Sequence, residues 1–201
     1  STFAFNTAQG GAGAFAVPGH GYGGAIFSRN GTVTITSSTL ANNFADEGAA
    51  YILGDNGTAE FNVTNSILAY SLDGSNVSTT DLVTDKINGG TLTAGDFDSL
   101  IVQVGTLDGA SLTASSAQHI QVTDPLLKVG PFDFSNNGGT VPTLSLQSNS
   151  PAIDVGSFAP LSTFDLTSDA RGYGPRVTGA AVDLGAFEYL AEPNYVAAFP
   201  D

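Results

Sequence analysis

The chain has no cysteine, no methionine and no tryptophan in 201 residues. Without cysteine there are no disulfides, no thiol nucleophile and no cysteine-ligated zinc. The lack of both sulfur residues suits an oxidising, extracellular setting. Positive charge is scarce: 5 Lys and Arg face 19 Asp and Glu, for a net charge of −14. A field of that sign repels nucleic acid, anionic membranes and acidic polysaccharides, and favours solubility and counter-cations such as Ca²⁺. No apolar run is long enough to span a bilayer, and no signal peptide is recognisable. Helix-forming Ala-Glu-Lys-Leu blocks are missing too. Thr, Ser, Asn, Gly and Val dominate instead, a composition of strands and turns.

What is present is a repeat. Residues 23–43 read GGAIFSRNGTVTITSSTLANN and residues 48–71 read GAAYILGDNGTAEFNVTNSILAYS. Each copy has a Gly/Ala run, an Asn-Gly turn, an alternating strand, a bend and a short apolar pair. Val33 and Ile35 correspond to Phe61 and Val63 on the apolar side, while Thr34 corresponds to Asn62 on the polar side. Such period-two alternation marks a strand with one buried face. The Gly runs are offset by 25 residues and the strands by 28, which places three extra residues at the second turn. A third trace, Ser1-Thr2-Phe3-Ala4, overlays Ser38-Thr39-Leu40-Ala41. One such unit cannot bury its own apolar face, whereas stacked units can, with Val33 beside Phe61 and Leu40 beside Leu68 and Phe3. The fold expected is an all-β solenoid. At roughly 25 residues per turn, about eight turns would make a rod ~35–40 Å long.

Between the copies and beyond them the signals are weaker. The Gly-rich stretch 9–24 lacks the strand, helix start and Lys-Ser/Thr of a phosphate loop, and reads as a wide loop or packed glycine corner. His20 within it is a lone imidazole with no partner at metal-ligand spacing. Residues 76–123 keep the strand-and-turn character but lose the clean repeat. Asn88-Gly89-Gly90 and Asp108-Gly109 mark turns, and Leu100-Ile101-Val102 with Val104 reads as one buried strand. Asp96 and Asp98 in GDFDSL are the nearest thing to a carboxylate pair, a weak candidate for surface Ca²⁺ or for glycoside hydrolysis; two solvated turn residues flanking Phe97 is the plainer reading. No metal, cofactor or catalytic residue is assigned. Asn30, Asn56, Asn62 and Asn76 each open an Asn-x-Ser/Thr triplet, although Asn30-Gly31 and Asn56-Gly57 are also tight turns. Asn42, Asn43, Asn62 and Asn65 are candidates for hydrogen-bonded ladders between turns.

The most recognisable text lies in residues 124–188: Asp124-Pro125-Leu126-Leu127, Asn137-Gly138-Gly139, Pro142-Thr143, Ser150-Pro151-Ala152-Ile153-Asp154, Arg171-Gly172 and Val182-Asp183-Leu184-Gly185-Ala186-Phe187-Glu188. In this order these segments resemble the C-terminal signature of bacterial choice-of-anchor Q proteins. The resemblance, which with the repeats covers most of the chain, implies a right-handed, single-stranded parallel β-helix of the pectin-lyase-like kind on a secreted or surface-displayed protein. It carries over no catalytic residue. Pro142, Pro151, Pro160 and Pro175 forbid continuous ladders, so the segment reads as an irregular C-terminal cap. Arg171 has Asp169 and Asp183 as nearby charge partners, a structural pairing in preference to a substrate-binding role.

The expected organisation is parallel β-helix coils over 1–123, C-terminal coils and a capping region over 124–188, and an extended C-terminal tail over 189–201. A uronate lyase needs clustered cations and a base, whereas Arg29, Lys86, Lys128, Arg171 and Arg176 are scattered. A hydrolase needs paired carboxylates and aromatic platforms, and no tryptophan is available. The function expected is therefore non-enzymatic: an extracellular or cell-surface structural or adhesive element. The alternative is a polysaccharide-binding or polysaccharide-degrading module. Because Ser1 falls inside a repeat, the chain reads as a mature product or a piece of something longer. The expected partner is the protein itself, the exposed first turn with Phe3 and Phe5 pairing with the apolar run 195–199 of a neighbour to give filaments. The competing reading makes Ser1 a truncation and the tail a linker. Extracellular glycans are a further candidate partner; nucleic acid and membrane insertion are excluded.

Overall fold

A computed structural model describes residues 1–13, 17–94, 99–106, 120–121, 123–128, 134–172 and 175–190. The fold is all-β and its main sheets are parallel. After β1 (Thr2–Ala4) the chain passes repeatedly through three sheets in a fixed order. The first pass is β2 (Ile26–Arg29), β3 (Thr32–Thr36) and β4 (Thr39–Ala41). The second is β5 (Ala50–Asp55), β6 (Thr58–Thr64) and β7 (Ile67–Ala69), and the third is β8 (Leu82–Ile87), β9 (Thr91–Ala94) and β10 (Ser99–Ile101). With β11 (Val104–Thr106) and β12 (Ile120–Gln121), the sheets run β2-β5-β8-β11, β3-β6-β9 and β1-β4-β7-β10-β12.

The register follows the repeat. Val33 pairs with Phe61 and Ile35 with Val63; Phe3 pairs with Leu40 and Leu40 with Leu68. Ile35, Leu40, Phe61, Val63 and Leu68 are buried together in one core. Val33 is only half-buried, because β3 is the edge of its sheet. The extra residues of the second copy do not enlarge its turn. They lengthen β5 at its end, where Gly54 and Asp55 pair with Lys86 and Ile87, and β6 at its start, where Thr58 and Ala59 pair with Thr91 and Leu92. The offset also shifts at the sheet entrance, where the Ala49 carbonyl accepts both the Ala25 and Ile26 N–H groups (2.9 and 3.0 Å), a one-residue bulge.

Most of the described bends between sheets carry a residue with a left-handed backbone. Asn30, Asn56 and Asn88 (φ 54°, 47° and 52°) form the first corner; Ser37 and Asn65 (46° and 50°) the second; Phe5, Asn42 and Tyr70 (60°, 54° and 59°) the third. Asparagine tolerates this region best, which is why Asn recurs at the bends. Hydroxyls then tie the passes together. Ser38 N–H donates to Ser66 Oγ at 3.2 Å and Ser66 N–H to Ser99 Oγ at 3.1 Å. Of the asparagines expected to form ladders, Asn43 does: its Oδ1 accepts from Asn6 and its Nδ2 donates to the Phe3 carbonyl at 3.0 Å. Asn62 bonds Glu60 within its own strand, and Asn65 reaches outward to Ser157.

One expectation is corrected here. Leu100 and Val104 do not share a strand: β10 ends at Ile101, and Val104 opens β11 in another sheet, beside Leu82. The described residues of 124–190 add no strand to the three parallel sheets. That segment contributes an antiparallel pair, β13 (Phe134–Ser135) with β14 (Thr143–Leu144), and a short helix α1 (Ala159–Thr163). It lies flat on the outer face of β4, β7 and β10. The reason is in the apolar pairs: adjacent strand residues face opposite ways, so Leu40 and Leu68 point inward while Ala41, Ile67, Ala69 and Leu100 point outward. Leu127, Leu144, Leu146, Ala152, Leu184 and Phe187 cover this outer face in a second core.

Candidate functional site

The carboxylates that the sequence singles out, Asp96 and Asp98, lie outside the described residues, as do Asp108-Gly109 and the tail 191–201. The four Asn-x-Ser/Thr asparagines are not equivalent. Asn30 donates Nδ2 to the Asp55 carbonyl and accepts the Asp55 N–H, both at 2.7 Å, so its amide is part of the corner. Asn62 donates to Glu60 at 2.9 Å. Asn56 and Asn76 are exposed. His20 stacks on Tyr22, ring centroids 5.9 Å apart.

Two other places gather chemically versatile side chains. The first is a buried charge network in the lateral segment. Arg171 Nε donates to Asp169 Oδ2 at 2.7 Å, its two terminal nitrogens donate to the carbonyls of Asn137 (3.2 Å) and Glu188 (2.7 Å), and the guanidinium lies 4.1 Å above the Phe187 ring. Arg176 pairs with Glu188 at 3.2 Å and donates to the carbonyls of Asp183 and Gly185. The Asp169 partner expected for Arg171 is present. The carboxylate of Asp183 accepts the N–H groups of Asp154 and Tyr189. Asp169 Oδ2 also takes the Glu188 N–H, and Glu188 Oε2 the Asp183 N–H. These side chains replace the ladder hydrogen bonds that irregular backbone lacks. Burial pushes the Glu188 carboxyl up to about 7, with the Asp183 charge adding and Arg176 opposing. Burial raises Asp183 and lowers Arg176 in the same way.

The remaining motif residues also serve packing. Asn137 and Gly138, at φ 41° and 89°, make the turn between β13 and β14, and a Cβ on Gly139 would meet Arg171 Cβ at 2.4 Å. Ser150 Oγ donates to the Pro125 carbonyl at 2.5 Å. Gly185, at φ 95°, brings the segment against the sheet: its N–H donates to the Asn65 carbonyl at 2.8 Å, and Ala186 N–H donates to Thr39 Oγ1 at 2.9 Å.

The second place is the outer face of β2, β5 and β8. Alternation there turns Ile26, Ala50, Ile52 and Leu82 inward and leaves Phe27, Arg29, Tyr51, Asp55 and Asp85 on the opposite side. Phe27 and Tyr51 are register partners whose rings are 5.9 Å apart and 26° from parallel. Tyr22 leans on Tyr51 at 4.7 Å. Tyr51 is buried, while Phe27 is 51% and Tyr22 36% exposed. Tyr51 donates to Asp85 Oδ2 at 2.7 Å, and Asp85 Oδ1 is buried with no hydrogen-bond partner among the described residues. Burial, then the Asp85 hydrogen bond and charge, hold the Tyr51 phenol well above its ordinary pKa. Along the same face Arg29 pairs with Asp55, which also accepts Asn88 Nδ2 at 2.8 Å. The cluster is built from Tyr and Phe, so the absence of tryptophan does not reveal it. Its signal was an aromatic just after each Gly/Ala run, fifth in GGAIF and fourth in GAAYI, which the bulge at Ala25 and Ile26 brings into register.

Compared with family models, curated proteins and solved structures, the chain matches none.

Proposed function

We propose that the chain is a section of right-handed, single-stranded parallel β-helix with a structural or adhesive role outside the cell and no catalytic role of its own. The three-sheet passes with in-register parallel pairing support the β-helix reading, and parallel crossovers are right-handed in nearly all proteins. The observation that carries the functional half is the destination of the charged motif residues. Asp169, Arg171, Arg176, Asp183 and Glu188 are all buried and bonded to their own chain. A motif of that kind specifies packing. The text resembling choice-of-anchor Q proteins supports surface display.

End-to-end extension belongs to the same reading. β1, β2 and β3 occupy outer edges of their sheets, and such edges accept further strands from preceding chain or from another copy. Phe3 and Phe5 are 39% and 47% exposed beside them, although Phe5 also meets Phe134 edge-on at 5.7 Å.

Incubation with neutral and acidic polysaccharides, followed by assays for reducing ends and unsaturated sugars, is expected to give no product. Turnover would contradict the reading. Sedimentation over a range of concentrations, with and without Ca²⁺, is expected to show concentration-dependent growth; a monomer throughout would remove the end-to-end part. A second reading, binding of glycans, is favoured by the aromatic face of β2 and β5.

A further inference from the structure

The geometry points to a binding site for a neutral polysaccharide on the outer face of β2, β5 and β8, with Tyr22 and Phe27 as its platform. This rests on the adhesive half of the reading above. Tyr51, the buried register neighbour of Phe27 on β5, contacts both exposed rings, and its hydroxyl is fixed on Asp85. Rings held this way lose little freedom when a ligand covers them, and pyranose rings present flat faces of C–H groups to such platforms. Two residues beyond Phe27 on β2, about 7 Å along the strand, Arg29 faces the same way and pairs with Asp55. An adjacent donor and acceptor suit the hydroxyls of a neighbouring sugar unit.

Size and charge select the occupant. Two half-exposed rings offer about 200 Å², well short of the roughly 800 Å² per partner of a stable protein interface. A sugar chain needs no such area, because it engages one or two rings at a time. The chain carries −14, and Asp55 and Asp85 lie on this face. Uronates and sulfated glycans are therefore repelled, and an uncharged polymer is not.

Affinity electrophoresis of the whole chain tests this, in gels containing hydroxyethylcellulose, xyloglucan, galactomannan or dextran, with polygalacturonate as the acidic comparator. Retardation is expected in at least one neutral gel and not in polygalacturonate. Phe27→Ala and Tyr22→Ala should each weaken it about tenfold, with unchanged thermal unfolding, while Phe158→Ala, an exposed aromatic beside α1, leaves it intact. Should Phe27→Ala lower the melting temperature, Arg29→Ala, whose side chain is 60% exposed, carries the test through its own loss of retardation. No retardation in any neutral gel, or retardation that these variants leave unchanged, overturns the proposal. So does a change in sedimentation of Tyr22→Ala or Phe27→Ala without a change in the gels, which would make the patch a contact between copies. End-to-end growth is read by sedimentation of the unaltered chain, so the two ideas fail separately.

Discussion

The passes through the three sheets and the lateral segment solve one problem by opposite means. In the passes, parallel ladders satisfy the backbone, and side chains are left to pack: Phe61, Val63, Leu68 and Ile52 are fully buried. In the lateral segment the backbone is irregular, so buried Arg and carboxylate side chains satisfy it. The first solution tolerates variation in sequence as long as alternation persists. The second needs particular residues at particular places. The lateral segment therefore carries the most distinctive text in the chain while having the least regular structure.

Breaking the first solution should have the largest effect. Val63→Asp places a carboxylate among Phe61, Ile35 and Leu68 without a partner, and should cost at least about 4 kcal/mol in denaturant unfolding. Phe61→Ala should cost about 3–5 kcal/mol through its cavity. A loss under about 1 kcal/mol for Val63→Asp would mean that this face is not interior.

The second solution should break in a pH-dependent way. Arg176→Met removes the cation beside Glu188 and should cost about 3 kcal/mol above pH 7. The cost should shrink towards pH 5, where Glu188 takes up a proton. In the unaltered chain the Glu188 carboxyl is raised in the folded state from 4.5 to about 7. Its contribution is therefore full below about 4.5 and is lost as pH rises through about 7. Asp183 and Asp81, both raised by burial, act in the same direction. Melting temperature should rise on acidification across this window, and Glu188→Gln should flatten the slope. An equally steep slope in that variant would assign the effect to general charge repulsion.

The joint between the two regions is more delicate. A Cβ at Gly185 would lie 2.6 Å from Thr39 Oγ1 and 2.9 Å from Ile67 Cδ1, on a backbone at φ 95°. Gly185→Ala should cost about 1–3 kcal/mol, and should speed hydrogen exchange in the lateral segment more than in β5 and β6. The smallest effect is expected from Ser66→Ala, which removes one step of the hydroxyl ladder, at about 1 kcal/mol.

How much of this was legible in the sequence follows the same division. Alternation in TVTIT and EFNVT gave the pairing of Val33 with Phe61, and the Ser-Thr-Phe-Ala overlay gave Phe3 with Leu40. The third pass was hidden because β8 places Thr84 where β5 has Ile52, with Asp85 and Lys86 following, so the apolar period fades while pairing continues. The Leu-Ala pairs are a visible repeat, but a two-residue apolar run does not say that both faces of its sheet are covered. Only the tertiary arrangement does. In the lateral segment, Arg171 with Asp169 could be read from proximity in sequence, whereas Arg176 with Glu188 spans 12 residues of irregular chain with no period to reveal it. The aromatic face escaped for a related reason: Tyr22 and Tyr51 are brought together by the stacking of passes.

The described residues of 124–190 lie along the outer face of β4, β7 and β10. A cysteine pair tests this placement directly, since the chain has no cysteine of its own. A Cβ at Gly156 would sit 3.2 Å from Asn65 Cγ, and Ser157 N–H donates to Asn65 Oδ1 at 2.7 Å. Asn65→Cys combined with Gly156→Cys should form an intramolecular disulfide under mild oxidation, whereas Phe27→Cys with Gly156→Cys, on a different sheet, should stay reduced. Failure of the first pair to close in folded protein, or equal closure of the second, would contradict the lateral placement.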